Sequence, residues 1–348
     1  MSKNLNKWVS GFLFVIVIGL FLFSANLGLV SAAPGDGPVG WAAVNYLGQN
    51  GTTGGAGGPV IDIYDYTTFK AQAKVAGPKI LMIHGTINSP TTADQINVMS
   101  NISIIGAGSG AYINFGLKLR GNNIIIRNMD IWNGGQGDDE GHDGVGLGNA
   151  NHHIWVDHCT IHECLDGAFD PAYNCRFVTA SYCHFYKQNK TMLICGNDGD
   201  SKAIAAQKNT DFREWHYTVT VHHCWFEGTD QRHPRVRNGA VHCFNNYIDN
   251  TGLYGIGRGD NANIYSEANY FLNSKDAFAT YDDKNHPGYV EDVNSLFEGN
   301  NGTSKENPPT GYWAWKPSQY YSYTPHSAQW VKLNLKNYAG VGKATPTN

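Results

Sequence analysis

Ile126-Arg-Asn128-Met-Asp-Ile131, Val156-Asp-His-Cys159-Thr-Ile161, Ala180-Ser-Tyr-Cys183-His-Phe185 and Val221-His-His-Cys224-Trp-Phe226 repeat one pattern, an apolar strand that turns through polar residues into a second short strand. Phe244-Asn-Asn246-Tyr-Ile248 and Glu267-Ala-Asn269-Tyr-Phe271 continue it. Aligned on Asn128, Cys159, Cys183, Cys224, Asn246 and Asn269, the steps are 31, 24, 41, 22 and 23 residues. A base unit of about 23 residues, with loop insertions in the first and third steps, accounts for the series, because insertions in repeat proteins collect in loops on one face. Each unit supplies about three short strands, and units stacked roughly 4.8 Å apart form parallel sheets. The expected fold is therefore all-β, a single-stranded parallel β-helix with interior ladders of equivalent side chains. A Greek-key sandwich would show hairpin turns, and the Asn-Gly dipeptides at Asn50, Asn133, Asn238 and Asn301 do not sit between paired alternating strands.

The same register predicts which polar residues meet. Asp166 lies seven residues after Cys159, Lys190 seven after Cys183 and Arg232 eight after Cys224, with Arg235 and Arg237 on the strand that follows. Asp170 is four beyond Asp166, and Asp143 enters from the preceding coil. An acidic cluster abutting a basic one on one lateral face is the expectation. Three carboxylates without Cys or His in register suit a hard, oxygen-preferring ion, and calcium tolerates an irregular, partly hydrated shell better than magnesium. Asp138, Asp139 and Glu140 read as a solvated loop beside that site.

Composition agrees with a turn-rich β protein. Of 348 residues, 41 are Gly and 19 Tyr, while only 16% are charged, unlike the Ala, Glu, Lys and Leu excess of a helical bundle. Residues 1–32 read as a secretory signal peptide: Lys3 and Lys7, an apolar run from Gly11 to Phe23, then small residues through Val30-Ser-Ala32. Its removal takes the formal charge from −4 to −6, which argues against nucleic acid as a partner. No membrane association is expected after cleavage, and residues 33–348 read as one catalytic domain.

The Gly51–Gly58 run reads as a tight irregular loop, since it lacks the Gly-Lys-Ser/Thr of a phosphate cradle. Tyr66 to Ala76 is the one stretch that qualifies as a helix. From about Ser274 the repeat fades into a Tyr- and Trp-rich tail, expected to pack back on the end or flank of the solenoid. Seven cysteines lie between Cys159 and Cys243. Cys159, Cys183 and Cys224 share a ladder position and read as stacked interior side chains. Cys159 and Cys164 are the pair most suited to a disulfide.

Asp143-Gly-Val, Ile154-Trp-Val-Asp-His-Cys159, Asp166-Gly-x-x-Asp170, Lys190-Thr-Met-Leu-Ile194 and Arg232-x-Pro-Arg-x-Arg237, with a later Val241-His-x-x-Asn-Asn-Tyr247, resemble the ordered motifs of the secreted pectate lyases. The resemblance runs from about Gly51 to Tyr270. It implies a right-handed parallel β-helix, with Asp143, Asp166 and Asp170 as calcium ligands. Lys190 and Arg237, with Arg235 beside them, would bind the uronate, and Arg232 would be the catalytic base. It further implies a secreted monomer that cleaves α-1,4-linked polygalacturonate to 4,5-unsaturated oligogalacturonides. Two departures stand out: the Asp143–Trp155 interval is one residue longer than usual, and Cys replaces the ladder Asn on three coils. A pectin lyase would not need the calcium carboxylates, and a hydrolase would need paired acids for general acid/base work. A non-catalytic β-helical adhesin would explain the solenoid but not the six charged positions.

Overall fold

The computed structural model describes residues 37–137, 139–148, 150–197, 199–281, 288–299 and 315–345. The signal-peptide reading of residues 1–32, together with Asp138, lies outside them, as does the aromatic run Gly311 to Ala314. Strands of successive coils stack into a ten-stranded sheet that runs from Val60–Ile63 to Tyr289–Val293. A nine-stranded sheet runs from Thr86–Ile87 to Leu296–Glu298, and two four-stranded sheets form a third face. Every pairing in these sheets is parallel, and the only antiparallel pair among the described strands is Asn45–Tyr46 with Gln49–Asn50. This is the expected parallel β-helix.

Parallel sheets buried on their inner side favour β-branched ladders, and the ten-stranded sheet has one. Ile102, Ile124, Ile154, Val178, Val219, Val241, Ile264 and Val290 lie in register on eight coils, each at most 2% exposed. Across the interior, Ile131, Ile161, Phe185, Phe226, Ile248, Phe271 and Phe297 form the facing ladder, with Phe185 and Phe226 stacked at 5.0 Å.

On seven coils a single left-handed residue turns the chain from the first sheet into the second. Asn128, His158, Tyr182, His223, Asn245, Ala268 and Asn294 all have φ between 48° and 60°. Asn tolerates that conformation, and the other types hold it because stacking above and below over-determines the corner. This geometry corrects the first repeat step. Thr160 pairs with Asp130, so Cys159 stacks on Met129 and not on Asn128, which is the corner residue itself. The step is 30 residues, and the interior ladder runs Met129, Cys159, Cys183, Cys224, Asn246, Asn269. Asn246 closes it by donating from its backbone and its amide to the Asn269 carbonyl oxygen, at 2.8 and 3.0 Å.

All seven cysteines are free and buried, which overturns the Cys159–Cys164 pairing. Five residues of extended strand separate the two Cα atoms by about 16 Å, and a disulfide spans at most about 7 Å. The helix expected at Tyr66 to Ala76 is present as α1, Tyr66–Ala73, with Asp65 capping through the Thr68 N–H at 2.9 Å. A short α2, Ser201–Ala206, sits in the long third insertion. The repeat continues past Ser274: Phe278–Thr280, Tyr289–Val293 and Leu296–Glu298 add another coil. The segment 315–345 lies along the flank, with Trp315 stacked on Trp41 at 5.5 Å and Val331 and Leu335 of the α3 region, Ala328–Asn334 and its following turn, packed on Tyr182, Tyr247 and Tyr270. The Gly51–Gly58 loop wraps the first face, where Thr53 and Gly54 donate to Asn123 and Gly55 to Ser103.

Candidate active site

The third face carries the candidate site residues. Its first sheet stacks Gln95–Val98, Gly116–Leu119, Val145–Leu147 and Phe169–Pro171; its second stacks Leu193–Ile194, Arg235–Val236, Ile256–Arg258 and Phe278–Thr280. The sheets part between Asp170 and Leu193. There the Leu193 N–H donates to the Asp170 carboxylate at 2.8 Å, so a side chain takes the ladder position of a backbone carbonyl and is fixed beside the break. An open cleft of about 640 Å³ lies over this seam and is lined by Asp143, Asp166, Asp170, Lys190, Arg232 and Arg237.

Each acid is held by backbone. Asp143 Oδ1 accepts from Gly167 N–H at 3.0 Å, while the Asp143 carbonyl is gripped by the amides of Asn133 and Gln95, each at 2.8 Å. Asp166 Oδ2 accepts from Gly141 N–H at 2.8 Å. Two glycines make the crowding possible: a Cβ on Gly146 would lie 2.5 Å from Asp143 Oδ2, and one on Gly167 would lie 2.3 Å from the Asp170 carboxyl group.

Burial, and next the charge of Asp166, push Asp143 up to about 7. Burial, and next the charge of Asp143, hold Asp170 well above the usual carboxylate range. Carboxylates that are buried beside like charge are costly to ionise, so the surroundings of Asp143 and Asp170 are a place where added positive charge is stabilised. Among the described residues, each of the three carboxylates has one oxygen on a backbone N–H and the other without such a donor. No three His, Cys, Asp or Glu among the described residues have already converged into a metal-binding group. The donor set, hard oxygens with no thiolate or imidazole, nevertheless fits calcium, whose shell is completed by water or substrate oxygen.

The cations face these acids. Lys190 Nζ lies 3.7 Å from Asp166 Oδ1 on the neighbouring coil. Arg232 takes a left-handed φ of 67°, its carbonyl accepting from Met192 N–H at 3.0 Å, and its Nε is buried with no hydrogen-bond partner among the described residues. A non-Gly residue in that region, like the corner residues, is held there by its surroundings. Tyr254 is its neighbour: burial raises that phenol to about 12 against the pull of Arg235 and Arg232. Arg237 is buried, donates to Cys195 O at 3.2 Å and lies 4.0 Å from Asp260. Arg235 is the one expected site residue outside the cleft lining; its guanidinium lies over the Tyr281 ring at 4.8 Å.

Sequence reasoning missed three contributors. Gln188, 2% exposed, accepts from Cys164 N–H at 2.8 Å and donates to the carbonyls of Cys164, Asp166 and Lys190, tying the two coils that carry the acid and the lysine. Lys118 and Arg120 also line the cleft. The outward Lys in Gly116-Leu-Lys-Leu119 was a visible alternation signal, but counting onward from the corner does not reach that strand. Glu140, read as loop, also reaches the lining; Asp139 pairs with His142 at 3.3 Å instead.

A family model described as Pectate lyase matches residues 12–344. Among curated relatives, a pectate trisaccharide-lyase of Bacillus licheniformis is 33% identical, covering 88% of this chain and 87% of the relative. Pectate lyase E of Dickeya chrysanthemi is 29% identical over 87% of this chain and 90% of its own. Among solved structures, a pectate lyase of Bacillus sp. N165 in complex with trigalacturonate has a TM-score of 0.68 at 25% identity, covering 88% of this chain and 99% of its own.

Proposed function

Because the chain belongs to the pectate lyase family and is a polysaccharide lyase, we propose that it cleaves de-esterified α-1,4-linked polygalacturonate by β-elimination, releasing 4,5-unsaturated oligogalacturonides. The observation that supports this substrate is the facing of three crowded carboxylates by Lys190, Arg232 and Arg237 across one cleft. A neutral or methyl-esterified polymer gives those acids nothing to share a cation with, whereas a uronate carboxylate does.

Pectate lyases are generally calcium-dependent, and the acids of this chain fit that ion. Asp143, Asp166 and Asp170 would hold it, and when bound it supplies Lewis-acid stabilisation of charge developing on the uronate carboxylate. The chain's own residues do the rest. Lys190 and Arg237 bind and orient the uronate by charge-assisted hydrogen bonds. Arg232 takes the proton at C5, which is α to the carboxylate, and the C4–O bond then breaks, the electron pair leaving with the glycosidic oxygen. An arginine is ordinarily protonated, so the acceptor in this step is the neutral guanidine. Arg235 contributes from behind, stacked on Tyr281. Secretion through residues 1–32 and action as a monomer belong to the same reading. The test compares purified enzyme on polygalacturonate and on highly methyl-esterified pectin, with products identified by mass. Unsaturated oligomers from the former alone support it, and faster cleavage of the ester overturns it.

A further inference from the structure

The cleft does not end at the acids. Lys118, Gly146 and Asp170 occupy one register position on three successive coils, Lys118 pairing with Gly146 and Gly146 with Asp170. Gly146 puts no side chain between its neighbours, so the floor stays low from Asp170 back to Lys118. Gly148, two residues on, lies against Arg120, whose Nη1 would be 3.2 Å from a Cβ there. Among the described residues Lys118 has no ion-pair partner within 4.0 Å, and the guanidinium of Arg120 makes one hydrogen bond, a 3.4 Å contact to Asn97. Lys118 also reaches inward, since its charge favours the ionised form of Asp143. The lining thus reads cation, acid, cation along the solenoid axis, with Lys118 four coil steps, about 19 Å, from the coil of Arg235 and Arg237.

We infer that Lys118 and Arg120 form a distal carboxylate-binding subsite, which takes a uronate of the bound polymer on the side of the acids remote from Arg232. The inference rests on the polygalacturonate reading and extends it to the length of chain engaged. An extended polyuronate laid along stacked coils presents carboxylates in series, and two cations without strong partners at the far end of a continuous floor are where the next one is neutralised. Arg120 is exposed and Lys118 half-buried, so the subsite is reached from solvent by a long substrate and missed by a short one seated at Lys190 and Arg237.

The test is calorimetric binding of galacturonate trimer, pentamer and hexamer to wild type and to Lys118→Ala/Arg120→Ala, with Lys118→Arg/Arg120→Lys as the charge-retaining control. The expected result is a loss of about tenfold or more for the longer oligomers, the size of one lost charge-assisted bond. The trimer should change far less, and the control should recover most of the loss. Equal weakening at every length would make the pair a general support of the acid site and overturn the inference, as would no weakening at any length. Lyase turnover followed in parallel is a separate readout, so a failure of the β-elimination reading remains distinguishable from a failure of the subsite.

Discussion

Lys190 and Asp166 stand on adjacent coils with ammonium and carboxylate 3.7 Å apart, and the buried amide of Gln188 bonds to the backbone carbonyls of both. The acidic half of the cleft is therefore tied to the basic half by a residue that touches neither side chain. Replacing Gln188 by Leu strands the Cys164 N–H and frees several carbonyls. We expect a stability loss of about 1–3 kcal/mol, the cost of a buried polar group left unpaired, read from the urea midpoint, together with a fall in lyase rate. Unchanged stability would show that water replaces the amide.

Arg232→Lys retains a cation and removes the guanidine. A proton acceptor contributes about 10²–10⁴ in rate, so kcat followed by ultraviolet absorbance of the unsaturated product should drop by that order while KM changes little. A drop of less than about tenfold would move the base elsewhere.

Gly167→Ala places a methyl group 2.3 Å from the Asp170 carboxyl group, which must rotate off the Leu193 N–H. Calcium affinity, measured by titration of the protein alone, should weaken. Gly199→Ala, with nothing within 4 Å of the new Cβ, is the control and should behave as wild type.

Acid stability carries a signature of the buried histidines. Burial lowers His242 to about 4, from an ordinary value near 6.5. The unfolded chain therefore takes the proton first, and stability is lost as pH falls from about 6.5 to 4, by about 3 kcal/mol for this residue. The raised carboxylates of Asp143 and Asp170 work in the opposite sense over that range, so the test is a difference. His242→Gln should lose less stability than wild type on acidification, whatever its stability at neutral pH. Parallel pH profiles for the two proteins would contradict the assignment.

The solenoid was legible because Val-Asp-His-Cys159, Ser-Tyr-Cys183 and His-His-Cys224 repeat the same turn at the same distance from a β-branched strand. Asn128 misled by one residue, since an Asn in the left-handed corner and an Asn in the interior ladder look alike in sequence. Lys190 meeting Asp166 followed from equal offsets on coils without insertions between corner and cleft. Lys118 and Gln188 escaped for different reasons: the first precedes the corner used for counting, and the second acts through backbone carbonyls, which no side-chain pattern records. Disulfide reasoning from an odd cysteine count failed at Cys159 and Cys164 because the β-helix interior takes thiols as small apolar side chains.

The most direct test of the central claim is polygalacturonate turnover, read by ultraviolet absorbance with a calcium chelator present and again after calcium is restored. The account predicts that absorbance stops rising under chelation and resumes with added calcium in wild type, and that Asp170→Asn fails to resume. A rise that continues unaltered under chelation would contradict it.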